Sequence, residues 1–206
     1  MRRSLVLAVV AVASVGLAAP SLAGPRLAKA VPLTVKDAAD DANGFNSQGG
    51  LLPASPPEQS NGTLSMKSAD ILSFTLGRKD DGKKVTALVG TLTLAAPPAQ
   101  GTDYRIRMST PDCSTYFLEY EFPAGLGASG EVRENCGGAT TAAFDPVDAT
   151  VVGSTITWTI PIKGMPGSAK LGTVLTVKGA QTSVETAAIF PGIDQVVTNQ
   201  PFTIGQ

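Results

Sequence analysis

The sequence predicts an all-β protein, an antiparallel β-sandwich of about eight to ten strands. Runs of five to nine residues rich in Val, Ile, Thr and aromatic residues alternate with turns rich in Gly, Pro and Asp. Beyond residue 23, no window of helical length shows an apolar stripe with the helical period. Residues 155–160 alternate strictly, with Ile156, Trp158 and Ile160 on one face and threonines on the other. That alternation is typical of a strand with one buried face, and it favours a core position for Trp158 over a ligand platform.

The predicted strands follow one another with short connections. In order they are residues 33–35, 71–77, 86–94, 104–108, 114–122, 131–135, 150–152, 155–162, 174–178 and 202–204. The tripeptide Asp80-Asp81-Gly82 predicts a hairpin turn between the second and third strands. Residues 137–153 and 179–200 have the weakest pattern, and either segment can accommodate a short helix.

The N-terminal segment has the pattern of an export signal. Arg2 and Arg3 precede an apolar run over residues 5–19, and Ser21-Leu22-Ala23 provides the small-x-small sequence of a cleavage site. The run is shorter than the about 20 residues that a membrane span needs. We therefore predict general secretion, cleavage after Ala23, and no stable membrane insertion. Residues 24–206 then form a single secreted domain, in which residues 49–68 are a long loop rich in Pro, Ser and Gly.

Charge and composition exclude several function classes. Removal of residues 1–23 takes away two arginines and no acid, which leaves 14 basic against 17 acidic residues and a net charge of −3. A weakly acidic chain without basic runs provides no electrostatic basis for binding nucleic acid. Histidine is absent, which removes Ser-His-Asp and Cys-His catalysis and every His-ligated metal site. We therefore expect no enzymatic activity.

The two cysteines, Cys113 and Cys136, are predicted to form a disulfide, because an even pair in an exported chain is typically oxidised. The sequence between them has a hairpin pattern, and a register with Cys113 opposite Cys136 would place Phe122 opposite Gly127. The bridge would stabilise the protein by about 3 kcal/mol in the chain-entropy model. The alternative, a redox pair, is disfavoured because the spacing is not Cys-x-x-Cys.

Two glutamates lie two residues apart on the strand predicted over residues 114–122. Alternation places Tyr116, Leu118 and Tyr120 on one face, with Glu119 and Glu121 on the other. Such a pair can in principle be the two carboxylates of a glycosidase. The preferred interpretation is a solvated outer face of an antiparallel strand.

Acidic and amide side chains concentrate just after the first predicted strand. Asp37, Asp40, Asp41 and Asn43 lie within seven residues of one another. Calcium takes six to eight hard oxygen ligands in flexible geometry, so this composition suits a Ca²⁺ site. The spacing is not that of an EF-hand, because the acids and the glycine which that loop requires are missing. The alternative is an acidic turn whose side chains accept hydrogen bonds from nearby backbone amides.

Further along the chain, Ala69-Asp70-Ile71 leads into a strand, Ile-Pro-Ile at 160–162 is followed by Gly164, and Asp194 precedes the closing Pro201-Phe202-Thr203-Ile204-Gly205. Together with the acidic run, this order resembles exported bacterial β-sandwich modules of the family 9 carbohydrate-binding, or DOMON-like, type. The resemblance implies a structural calcium near the early acidic loop, with Asp70 and Asp194 joining Asp37, Asp40 and Asp41. Sugar-binding members of this family use exposed tryptophans. The one tryptophan of this chain, Trp158, is predicted to lie in the core.

The leading hypothesis is a secreted, non-catalytic binding or surface-association module with calcium as a structural ligand. Its partner would be a glycan or a protein at the cell surface. If the partner is a glycan, Tyr104, Tyr116, Tyr120 or Phe45 must take the place of tryptophan. The alternative is a protein-interaction module, such as a protease inhibitor or an adhesin subunit, which would present the hairpin tip at residues 123–130 to its partner.

Overall fold

The chain folds as a β-sandwich, which confirms the predicted fold class. A computed structural model describes residues 27–39, 42, 66–122, 129–136, 139–143, 148–165, 169–184 and 192–206. Their strands form a five-stranded sheet in the order β1-β2-β3-β9-β8 and a six-stranded sheet in the order β11-β10-β4-β5-β6-β7. Every pairing is antiparallel.

The strands have the following bounds: β1 Leu33–Lys36, β2 Ile71–Asp80, β3 Val85–Leu94, β4 Thr102–Thr110, β5 Cys113–Phe122, β6 Ser129–Cys136, β7 Ala139–Ala143, β8 Asp148–Val152, β9 Thr155–Pro161, β10 Val174–Val184 and β11 Gly192–Thr203. Single turns of 3₁₀ helix occur at Met66–Ser68 and Ile162–Gly164. The predicted signal segment, most of the acidic loop and the hairpin tip at 123–128 lie outside the described residues. In the part of the chain that the structure describes, no helix is long and apolar enough to cross a membrane.

The predicted strands all occur, and the largest differences fall in the two segments with the weakest pattern. Strand β7 was not predicted, and β10 and β11 are much longer than expected. The described parts of both segments are strands, not helices. The sequence of β7, Ala-Thr-Thr-Ala-Ala, has no apolar alternation, and β10 buries the polar residues Gln181, Thr182 and Ser183. Polar residues in a strand interior hide the period on which the prediction depends.

The hairpin turn between β2 and β3 is confirmed. Gly82 has a φ of +83°, the left-handed conformation that glycine adopts without steric cost. The Asp81 carboxylate accepts hydrogen bonds from the backbone N–H groups of Lys83 and Lys84 at 3.0 and 2.9 Å. These charge-assisted hydrogen bonds hold the pKa of Asp81 below its usual value.

Trp158 lies at the centre of the core, as predicted. It is fully buried between Ile156 and Ile160 of the same face, and its indole N–H donates to the backbone carbonyl of Glu119 at 2.8 Å. Trp158 belongs to the five-stranded sheet and Glu119 to the six-stranded sheet, so this hydrogen bond links the two layers. It also satisfies the one polar atom of an otherwise apolar side chain.

Gly90 makes room for Leu118 of the opposite sheet. It pairs with Trp158 across β3 and β9, and a Cβ atom at Gly90 would lie 2.4 Å from Cδ1 of Leu118 on the opposite sheet. Since interiors are packed at the density of organic crystals, the space above Gly90 is already filled by Leu118.

The β5–β6 hairpin forms, but its register differs from the prediction by one residue. Tyr116 pairs with Glu134, and Glu121 pairs with Ser129. The prediction of Cys113 opposite Cys136 is therefore wrong, since this register continues to place Cys136 opposite Ser114. Thr110 is the residue that pairs with Cys113, across β4 and β5. The hairpin loop is longer than expected, and the disulfide remains a prediction.

We expect Gly90→Ala to destabilise the protein by about 1–3 kcal/mol, because the added methyl group overpacks the core against Leu118. The free energy of urea unfolding measures this loss. Gly164→Ala is the control, since nothing lies within 4 Å of a Cβ atom there. Combining Gly90→Ala with Leu118→Val should cost less than the sum of the two single changes. Simple additivity would show that the two residues do not compete for the same space.

Candidate functional site

Three of the six residues predicted to bind calcium lie around the start of β2. The backbone N–H of Asp37 donates to the carbonyl of Leu72 at 2.9 Å. The Asp194 carboxylate accepts from the backbone N–H of Ile71 at 2.6 Å, and Asp70 directly precedes Ile71. The structure therefore brings Asp37, Asp70 and Asp194 to one end of the sandwich from three distant parts of the chain.

The same end contains a small apolar cluster that ties the acidic loop to the sheet. Ala42, from within that loop, is buried against Ala69 and Ile193, the residues just before Asp70 and Asp194. The side chains of Asp70 and Asp194 are almost completely buried, at 1% and 5% exposed. Burial of a carboxylate is costly unless hydrogen bonds or an opposite charge stabilise it.

The chemistry of this end fits either interpretation of the acidic loop, a calcium site or a turn whose side chains accept hydrogen bonds from backbone amides. The oxygens of Asp194 accept from the N–H groups of Ile71 and Gln195, and Oδ1 of Asp37 accepts from Ala38 at 3.0 Å. Each such oxygen retains a lone pair that a calcium ion can use. Among the described residues, the carboxylates of Asp37, Asp70 and Asp194 do not form a group within 4.8 Å of one another. Asp40, Asp41 and Asn43 lie outside the described residues, so calcium at this end stays a prediction.

A second set of ionisable residues occupies the outer face of the six-stranded sheet. We call it the outer charge cluster; its members are Asp103, Arg105, Glu119, Glu121, Glu131 and Arg133. They come from the adjacent strands β4, β5 and β6, where Arg105, Glu119 and Glu131 are direct neighbours. The guanidinium of Arg105 binds Glu119 and lies 3.3 Å from Asp103, and its carbon atom lies 5.7 Å from the centroid of the Phe117 ring.

Glu119 is fully buried within this cluster, so the prediction of a solvated outer face is wrong at this position. The face assignment itself is correct, because Tyr116, Leu118 and Tyr120 are buried on the core side. Burial raises the pKa of Glu119 to about 8, and the charge of Arg105 opposes that shift without cancelling it. A hydrogen bond with the Glu131 carboxyl raises this pKa further.

The outer charge cluster is a poor metal site despite its carboxylates. Oxygens of Glu119, Glu121 and Glu131 lie within 4.8 Å of one another. Arg133 contacts all three glutamates, at 3.3 Å from Glu119 and 3.2 Å from Glu121, and in a closer contact with Glu131. A guanidinium group therefore already provides the positive charge that a metal ion would bring.

The aromatic residues proposed for glycan contact are core residues. Tyr104 and Tyr116 are fully buried and Tyr120 is 8% exposed, while Phe45 lies outside the described residues. The hydroxyl of Tyr104 donates to the carbonyl of Ser68 at 3.0 Å and accepts from the N–H of Ala99 at 2.9 Å. Burial raises the pKa of Tyr104 to about 12. The alternation that placed Tyr116 and Tyr120 beside Leu118 already indicated this burial.

Comparison of the chain with protein-family models, with curated proteins and with solved structures finds no match. The resemblance to family 9 carbohydrate-binding modules therefore rests on the sequence pattern alone. Function must be argued from the residues that the fold brings together.

The buried Glu119 makes stability depend on pH. Its pKa is higher in the folded protein than the value of 4.5 for an exposed glutamate, so the folded state retains a proton that the unfolded state releases. The stability from this group is complete below about pH 4.5 and is lost as the pH rises towards 8. We expect Glu119→Gln to reduce the fall in the free energy of unfolding across that range.

The matched control is Glu121→Gln, because Glu121 contacts the same Arg133 but is 29% exposed. Urea unfolding at a series of pH values measures both variants. If Glu119→Gln and the wild type lose stability equally as the pH rises, Glu119 does not carry the raised pKa.

Proposed function

We propose that this chain is a secreted, non-catalytic β-sandwich module that associates with a cell surface, and that calcium stabilises the end of the sandwich at the start of β2. The observation that carries this proposal is the convergence of Asp37, Asp70 and Asp194 at that end. Two of these carboxylates are almost completely buried. Asp70 and Asp194 lie more than 120 residues apart in sequence, so local turn formation does not account for their proximity.

Calcium would act here by supplying positive charge where the chain concentrates negative charge. Backbone amides donate to the oxygens of Asp194, and each of these oxygens can also bind a calcium ion. Asp40, Asp41 and Asn43 would provide further oxygen ligands from the acidic loop. An ion held in this way would join the connection after β1, the start of β2 and strand β11.

A binding role is favoured over catalysis by the chemistry that the chain contains. The sequence has no histidine, so general acid-base chemistry near neutral pH would fall to other groups. Glu119 has a pKa in a suitable range, but it is fully buried and paired with arginines. The resemblance to carbohydrate-binding and DOMON-like modules points to the same role.

Calcium is expected to raise the thermal unfolding temperature of the chain consisting of residues 24–206. A site filled at 100 times its dissociation constant adds about 2.7 kcal/mol, which corresponds to several degrees in a domain of this size. Scanning calorimetry in EDTA and then in millimolar CaCl₂ measures the shift. The double variant Asp40→Asn, Asp41→Asn should lose it, whereas Asp112→Asn, at an exposed position in the β4–β5 turn, should retain it. Equal unfolding temperatures with and without calcium would contradict the calcium site.

Surface association predicts that the folded chain is retained by insoluble cell-wall or storage polysaccharides. Sedimentation with each polymer measures the bound fraction, and the same chain unfolded in urea and passed over the polymer is the control for nonspecific adsorption. Retention of the folded form alone would support the proposal. Failure on every polymer, with a calcium shift still present, would reject glycan association and favour the protein-interaction alternative.

A further inference from the structure

The outer face of the six-stranded sheet contains a groove beside the outer charge cluster. Its volume is about 280 Å³, and it lies where β4, β10 and β11 meet. Residues that line it include Arg107, Lys178, Gly179, Gln195, Val197 and Asn199. Among the described residues that line the groove, the two charged ones, Arg107 and Lys178, are both cations, in a chain whose overall charge is −1.

An irregularity in strand pairing produces this groove. Val177 pairs with Met108 on β4, but Gly179 pairs with Arg107, so Lys178 has no opposite residue there. On the other side, the pairing passes from Val177 with Gln200 to Gly179 with Val197, which is one residue more on β11 than on β10. Bulges of this kind bend the strand and redirect side chains. Here they leave Lys178 and Asn199 exposed at the groove.

Glycine at position 179 is required for this geometry. Its φ is +135°, and a Cβ atom would lie 1.8 Å from the backbone oxygen of Val196. No other residue type fits so close an approach of β10 to β11. The sequence therefore specifies the bulge and the groove together.

The two cations of the groove have neutral partners. Arg107 donates to the side-chain oxygen of Gln181 at 3.1 Å, and Lys178 donates to that of Asn199 at 3.2 Å. Of the arginines that the structure describes, Arg78, Arg105 and Arg133 each contact a carboxylate, whereas Arg107 forms no ion pair with a described residue. Its guanidinium has five N–H donors, and most of them remain available to a ligand.

We propose that this groove binds an oxyanion, a carboxylate or phosphate group carried by a polar surface polymer. The inference rests on the proposed function, since it names the ligand class of the binding module. The planar fork of Arg107 matches a carboxylate or phosphate, and Lys178 adds a second positive charge. The amides of Gln195 and Asn199 provide hydrogen-bond donors and acceptors for sugar hydroxyl groups.

Titration of the ¹⁵N-labelled chain followed by NMR tests this inference, with three probes: trigalacturonate for carboxylates, a glycerol phosphate trimer for phosphodiesters, and neutral maltotriose. We expect saturable shifts at the amides of Gly179 and residues 195–199 with at least one anionic probe and none with maltotriose. The anionic probe that binds identifies the source of the oxyanion. High salt should weaken binding, because the contacts are charged.

The variants Arg107→Gln and Lys178→Gln should each weaken binding by about tenfold, as expected for loss of one charge-assisted contact. Lys84→Gln, in the exposed β2–β3 turn, is the matched control and should bind like the wild type. Unfolding temperatures of all three variants verify that the fold is intact. Absence of shifts with both anions, equal binding of maltotriose, or unchanged affinity in the two groove variants would overturn the inference.

The proposed function and the groove can fail separately. Calcium stabilisation depends on the end of the sandwich at the start of β2, and it is measured without any of the anionic probes. If the calcium shift is present but neither anion binds, only the groove inference is lost. If an anion binds in the groove but no polymer retains the folded chain, surface association is rejected, and with it the inference that a surface polymer carries the oxyanion.

Discussion

The hydrogen bond from the Trp158 indole to the Glu119 carbonyl is the contact on which the rest of this sandwich depends. It joins β9 of the five-stranded sheet to β5, an interior strand of the six-stranded sheet. Gly90, which pairs with Trp158, leaves a space that Leu118 of the opposite sheet fills. Because side chains alternate along a strand, burying Leu118 and Tyr120 in the core turns Glu119 to the outer face. One core contact thereby also determines where the outer charge cluster is built.

The outer face then divides into two regions of different charge balance. Arg105 and Arg107 lie two residues apart on β4 and point to the same face, yet their surroundings differ. Arg105 contacts Asp103 and Glu119, whereas Arg107 faces the amide of Gln181. The arginines of the cluster contact carboxyl groups on three strands, and these contacts hold the cluster in place. Arg107 and Lys178 have neutral amide partners, which a charged ligand would replace under the inference above.

Much of the fold could be predicted from the sequence wherever one strand face is apolar and the other polar. Strand β9 shows this most clearly, since its threonines alternate without a break with Ile156, Trp158 and Ile160. Strand β10 does not, because Gln181, Thr182 and Ser183 are all buried, and hydrogen bonds such as that from Thr182 to the Ala69 carbonyl at 2.8 Å are invisible in a pattern. The burial of Glu119 was missed for a related reason. It depends on Arg105 and Arg133, which reach it from the neighbouring strands β4 and β6; the β4–β5 register was not predicted, and the predicted β5–β6 register was off by one residue.

The carboxylates at the start of β2 show how far amino-acid composition can predict a cation site. Three carboxylates close in sequence suggested a cation site, but their chemistry alone does not distinguish a metal ligand from an acceptor of backbone amides. Asp194 adds a constraint, because it arrives from β11 to accept from the amide that opens β2. A turn that only satisfied its own amides would not need an acid from so distant a strand. Asp70 is buried beside this contact, so two acids from distant parts of the chain meet where β2 begins, and it is this long-range convergence that favours the proposed cation over a purely local turn.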